Sequence, residues 1–95
     1  MAAAGGTYLL RNAAGRVMRT GRTNNLIRRE GEHLRNPATR ELNFEVDRAT
    51  DSYAAQRGRE QIIHDAHDPP LNKVRPISPK NPRRDEYLEA GRNLP

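Results

Sequence analysis

Gly21-Arg22-Thr23-Asn24-Asn25-Leu26-Ile27-Arg28-Arg29-Glu30-Gly31-Glu32-His33 is the stretch on which the fold turns. It reads as a strand end running into a helix. Gly21 permits a tight turn and a close backbone approach. Thr23 or Asn24 can cap the helix, and Leu26, Ile27, Glu30, His33 and Leu34 then recur at helical spacing until Asn36-Pro37 stops them. The unpaired amides of such a helix start suit an anion. Arg29 and His33 lie four apart on one face, so Arg22, Arg29 and His33 are placed to surround a phosphate. The same pattern also describes a solvated basic helix.

Upstream, Thr7-Tyr8-Leu9-Leu10-Arg11 and Arg16-Val17-Met18-Arg19-Thr20 are short strand-forming runs around the turn cluster Asn12-Ala13-Ala14-Gly15, which predicts a β-hairpin. Residues 1–6 are small and read as a linker or an artificial start; the domain is expected over 7–95. Downstream, Leu42, Phe44 and Val46 alternate with polar residues, the period of a half-buried strand. Asp51 or Ser52 then caps a helix with Tyr53, Ala54, Ile62 and Ile63 as its inward face, fading by Asp68-Pro69-Pro70. Residues 68–82 hold Pro69, Pro70, Pro76, Pro79 and Pro82 without periodicity, which predicts an extended strap rather than a packed element. A last helix is expected over Arg83 to Ala90, closed by Gly91. The order β, β, α, β, α, strap, α predicts an α+β domain: a small three-stranded sheet with helices against it. Leu9, Val17, Leu26, Leu34, Phe44, Val46, Ile62 and Ile63 would form its core.

Composition narrows the functions. With 95 residues there is room for one small domain, which excludes large multidomain enzymes. Leu, Ile, Val and Phe number only 16, below the ~20% share at which a charged chain is suspected of disorder, but the ordered periodicities outweigh that count. Cysteine is absent, which excludes disulfides and thiolate metal sites and requires no oxidising compartment. No apolar run is long enough to span a membrane, and the start lacks the pattern of a secretion signal. The net charge is +5, and arginine supplies 15 of the 17 basic residues. Guanidinium is a planar fork matched to phosphate and carboxylate, so phosphate is a natural partner; arginine-favouring codons would give the same ratio.

Tyr8 in a first strand, Gly21 at the end of a second, and Asn24-x-Leu26-x-x-Arg29-x-x-x-His33 on the following helix together resemble the GIY-YIG nuclease superfamily. The first signature tripeptide falls on Thr7-Tyr8-Leu9 and the second on Arg19-Thr20-Gly21. Arg22 matches the basic residue after the second tripeptide. Glu60, within Gln56-Arg57-Gly58-Arg59-Glu60-Gln61, matches the metal-binding glutamate, and Asn72 matches an asparagine about a dozen residues beyond it. The tail from Leu71 to Arg83 with Tyr87-Leu88 is similar to URI-type toxin modules at the C-termini of bacterial polymorphic toxins, such as Rhs and type VI secretion effectors. One departure stands: Arg19 replaces the second tripeptide's tyrosine, so any role of that tyrosine does not carry over.

The resemblance implies a GIY-YIG-like fold and a metal-dependent endonuclease toxin hydrolysing DNA. It would be secreted within a larger effector, delivered to the cytoplasm of a target bacterium and neutralised by an immunity protein. Glu60 would hold one Mg²⁺ or Mn²⁺, which keeps much of its hydration, with no small-molecule cofactor. Arg29 would brace the scissile phosphate. Tyr8 is the family's candidate for activating water, provided that its pKa is lowered from ~10 by metal or by arginines such as Arg22. His33 could share that role, because an unperturbed pKa of ~6.5 suits it. Arg19, Arg28, Asn72 and Lys73 are the expected nucleic-acid contacts, mostly to phosphate and therefore salt-dependent. An acidic immunity protein would cover Arg22, Arg29 and His33.

Taken singly, the same residues have plainer readings: Tyr8 a packed strand residue, Glu60 an ion-pair partner of Arg57 or Arg59, Asn72 a turn residue. Arg28, Arg35, Arg57 and Arg59 serve solvation as well as phosphate. His64 and His67 lack a third metal ligand. A catalytically silent nucleic-acid-binding module and a protein-interaction domain are the competing functions. Four aromatic residues, Tyr8, Phe44, Tyr53 and Tyr87, are too few for a base-stacking platform.

Overall fold

Tyr8-Leu9-Leu10 has no polar alternation, and a strand of that kind needs cover on both faces and neighbours on both edges. In the computed structural model, which describes residues 3–94, β1 (Gly6–Arg11) has both. It is the middle strand of a three-stranded antiparallel sheet of order β2-β1-β3, with β2 (Val17–Thr23) and β3 (Asn43–Ala49) at the edges. Residues 1, 2 and 95, which belong to the expected lead segment and domain end, lie outside the described residues. The sheet itself begins at Gly6. Ala4 accepts from Leu26 N and Gly5 N donates to Asp51 Oδ1, so the residues just before the sheet are bonded into the fold. The hairpin turns where expected: Asn12 Oδ1 accepts from the amides of Ala14 and Arg16, and Gly15 takes φ 85°, a region disfavoured for any other residue.

Asn25, one residue later than expected, caps α1 (Leu26–Arg35) by accepting from Arg28 N at 3.0 Å. Thr23 instead completes β2. α1 buries His33 alone. Leu34, expected in the core, is 58% exposed, because the residue turned onto the sheet is its neighbour His33, packed beside Tyr8 and Phe44. Val46, also expected inside, is 48% exposed: it sits on an edge strand, and α1 covers that face only in part.

The opposite face receives α2 (Tyr53–His67), whose Ile63 packs with Leu9 and Val17. Ser52 caps it, and Asp68, at φ 44°, ends it ahead of the prolines. Arg59 on α2 reaches Asp47 on β3 at 2.7 and 2.9 Å, and Thr7 Oγ1 donates to the same carboxylate. Burial works against that carboxylate, but these hydrogen bonds win and hold Asp47 below its usual pKa.

α3 (Arg84–Arg92) runs through Gly91 rather than ending at it. A Cβ on Gly58 would collide with Tyr87 O, and one on Gly91 with Arg59 N, so these glycines let α2 and α3 touch backbone to backbone. The strap over 68–82 has no helix or strand, as expected, yet it is packed: Ile77 is fully buried and its N–H donates to Gln61 Oε1. Residues Leu71 and Asn72 lie along the outer edge of β2, with Leu71 N donating to Met18 O at 2.9 Å. Tyr87, Leu88 and Ile77 thus join the core that the sheet's side chains begin. No helix among the described residues is long and apolar enough to cross a membrane.

Candidate active site

Because β2 is an edge strand, residues pointing to its two faces can meet around that edge. Cross-strand partners share a face, so Arg19, opposite Leu10, belongs to the Tyr8 side, and Arg22, opposite Thr7, to the α2 side. Both line one cleft of about 950 Å³. Its walls are β2, the first turns of α1 and α2, and the strap. Six basic side chains face it: Arg19, Arg22, Arg29, Arg57, Lys73 and Arg75. Asp51 and Glu60 are its acids. Asp51 already accepts from Gly5 N.

Glu60 sits in the third turn of α2. Among the described residues its carboxylate accepts no hydrogen bond, and its nearest cation, Arg22 Nε, is 3.8 Å away. Burial pushes its pKa up, against the pull of Arg22 and Arg57. No group of three or more His, Asp or Glu side chains clusters among the described residues. One free carboxylate oxygen set in a cleft fits a hard ion such as Mg²⁺, which takes one or two protein carboxylates and completes its shell with water and phosphate.

Arg29 pairs loosely with Glu32 at 3.2 Å, while its buried Nε has no hydrogen-bond partner among the described residues. An unpaired buried donor is costly; the Arg29 side chain lines the cleft, but this Nε is closed off from solvent. Arg28, by contrast, bonds Asn24 Oδ1 on the exposed side of α1 and lies outside the cleft. Lys73 lines the cleft. Asn72 does too, but its amide is committed: Oδ1 accepts from Thr20 N, and the two Nδ2 hydrogens are shared among Thr20 O, Thr20 Oγ1 and His64 Nδ1. It clips the strap to β2, which also accounts for His64.

Tyr8 and His33 do not line the cleft; they lie buried behind Arg19 and Arg29, whose charges act on both. The Tyr8 ring stacks on Phe44 at 4.9 Å, and its hydroxyl occupies the space that a Cβ on Gly21 would fill. Tyr8 Oη is 3.1 Å from His33 Nε2, and His33 Nδ1 is 3.3 Å from Thr39 Oγ1. Thr39 spends its own proton on His33 O at 2.9 Å. Its oxygen therefore accepts from Nδ1–H, which leaves Nε2 unprotonated to accept from Tyr8. Burial, then Arg19 and Arg29, lowers the His33 pKa, in keeping with this neutral form. Burial raises the Tyr8 pKa although Arg29 and Arg19 oppose it, so the expected lowering by Arg22 does not occur.

Sequence reading missed Thr39, a loop residue with no periodic signal. It also missed Tyr53, expected inside but half-exposed on the cleft, and Arg75; Arg57, read as serving either phosphate or solvation, lines the cleft. No family model, curated protein or solved structure matches the chain.

Proposed function

We propose that the protein is a metal-dependent nuclease that hydrolyses phosphodiester bonds of DNA in this cleft, and that it acts as a toxin. The observation that carries the reading is Glu60: among the described residues its carboxylate accepts no hydrogen bond, and it stands in a cleft with six cations and a second acid, Asp51, that is already committed to Gly5 N. Such a cleft offsets the charge of a phosphodiester while reserving one anionic ligand for a divalent cation.

Glu60 would hold Mg²⁺ or Mn²⁺, which supplies Lewis-acid relief of charge on the phosphate and the leaving oxygen. Arg29 binds the nonbridging oxygens and orients the phosphate. For a water that reaches Tyr8 Oη behind Arg19 and Arg29, the hydroxyl would take its proton as the tyrosine's own proton passes to His33 Nε2, and Thr39 would steady the resulting imidazolium through Nδ1–H. The high pKa of Tyr8 makes it a poor base alone; the neutral imidazole beside it is the acceptor for its proton, working against the burial and the Arg19 and Arg29 charges that disfavour the imidazolium. Arg19, Arg22, Lys73 and Arg75 track the strand by phosphate contacts, with no base readout.

A cell that makes such an enzyme must block it. An acidic immunity protein would meet Arg22, Arg29, Lys73 and Arg75; His33 is too buried to be part of that surface. Delivery within a larger secreted effector to a target cell's cytoplasm belongs to the same proposal.

The test is incubation of supercoiled plasmid and of an RNA transcript with purified protein, with Mg²⁺, Mn²⁺ or EDTA. Nicking or linearisation of DNA with metal and none with EDTA is expected. Cleavage of RNA alone would overturn the substrate. DNA binding without cleavage under every metal would overturn the enzyme in favour of a silent binding module.

A further inference from the structure

Tyr53 is half-exposed on the cleft and enclosed by charged and aromatic neighbours. The Arg22 guanidinium carbon lies 4.8 Å from its ring centroid and that of Arg57 5.6 Å. Arg57 Nη1 donates to the Tyr53 hydroxyl at 2.6 Å, and the Tyr87 ring meets Tyr53 edge-on at 6.0 Å. Arg57 is itself fixed: it lies 5.1 Å over Tyr87 and donates to Pro76 O. Tyr53 is thus backed by a rigid group. Arg22 is held differently. Among the described residues it makes no side-chain hydrogen bond; it has the Tyr53 ring and the 3.8 Å approach to Glu60.

That distance is too long for a charge-assisted hydrogen bond, which closes to about 2.7–2.9 Å. A guanidinium beside a largely buried carboxylate would ordinarily close it and take both oxygens, since low dielectric strengthens the attraction. The π face of Tyr53 offers Arg22 a competing attraction. We propose that Tyr53 is a positioning residue that holds Arg22 off Glu60, keeping the carboxylate open to a divalent cation with Arg22 poised beside it for phosphate. The inference rests on the reading of Glu60 as the cation's ligand.

The test is Mn²⁺ titration of the full chain without nucleic acid, with free Mn²⁺ read by electron paramagnetic resonance. Tyr53→Ala should weaken binding about two- to fivefold, the worth of one such contact at a partly exposed site. Tyr53→Leu, which fills the space without a π face and guards against a folding defect, should do the same. Tyr53→Phe should bind as the parent does. In an Arg22→Gln background Tyr53→Ala should change nothing, because the competitor is gone. Unchanged binding in both Tyr53→Ala and Tyr53→Leu overturns the inference alone, as does a weakening that persists with Arg22→Gln. A parent chain whose Mn²⁺ binding is absent, or survives Glu60→Gln, overturns the metal reading of Glu60 and this inference with it.

Discussion

The Tyr8 hydroxyl donates to His33 Nε2 across 3.1 Å, and the direction of that bond is set by Thr39, whose hydroxyl proton is spent on the His33 carbonyl. A strand residue and a helix residue 25 positions apart in sequence thereby form one hydrogen-bonded pair. The unit sits in a pocket that Gly21 keeps open by having no side chain.

Removing either partner should cost activity and leave binding intact. Tyr8→Phe and His33→Gln are each expected to lower kcat for plasmid cleavage by about 10²–10⁴-fold. The double variant should be no worse than the more damaged single one, because the two act as a unit. Single-turnover kinetics on a labelled duplex would check this.

The pH dependence has a definite sign. His33 must be neutral to accept the proton, and its pKa is lowered from 6.5, chiefly by burial. Activity should therefore hold above pH 6.5 and fall as pH drops through the lowered value. Stability follows the same direction: the unfolded chain takes up the proton first, so the stability contributed by neutral His33 is full above 6.5 and lost as pH falls. Melting temperatures of the parent and His33→Gln measured from pH 8 to pH 5 should converge on the acid side.

Glu60 should show the opposite trade. Burial raises its pKa, so its charge opposes folding at neutral pH and is relieved on acidification. Glu60→Gln is expected to raise stability by roughly 1 kcal/mol while abolishing metal-dependent cleavage. Chemical denaturation of the two proteins at pH 7.5 would measure the gain.

Lys73 and Arg28 separate cleft from surface. Lys73→Ala should reduce the salt slope of DNA binding by about one, whereas Arg28→Ala, outside the cleft, should leave it unchanged. Fluorescence anisotropy at several salt concentrations reads both.

Asn72 is expected to act as a clip rather than a contact. Asn72→Ala leaves Thr20 N and O unpaired and should cost about 1–3 kcal/mol. It should also expose the 68–82 strap to proteolysis, read by limited digestion with mass mapping of the cuts.

Much of this architecture was legible. The hairpin, the helix from Leu26, the alternating strand and the capped helix from Tyr53 announce themselves through Gly15, Asn36-Pro37, the Phe44–Val46 alternation and Ser52. What was not legible depends on packing. Periodicity places Leu34 inward as readily as His33, and only the space beside Tyr8 and Phe44 decides for the imidazole. Gly91 carries the usual signal of a helix stop, yet the approach of Gly58 makes it a contact. Tyr53 belongs to an apolar helical face by spacing, but the arginines around it keep it at the cleft. Of the residues singled out in the sequence, Arg22, Arg29 and Glu60 meet in the cleft, whereas Tyr8 and His33 pair behind it. That His33 bonds Tyr8, and that Thr39 orients the imidazole, rests on a loop no pattern describes.

The most direct test of the central claim is single-turnover cleavage of a labelled DNA duplex in Mg²⁺ at pH 7.5, comparing the parent protein with Glu60→Gln at matched DNA occupancy. Cleavage by the parent and a loss of about 10³-fold or more in Glu60→Gln, with DNA affinity retained, is the predicted result. Cleavage that survives Glu60→Gln, or a parent that binds DNA and never cuts it, would contradict the assignment of this cleft as a metal-dependent nuclease site.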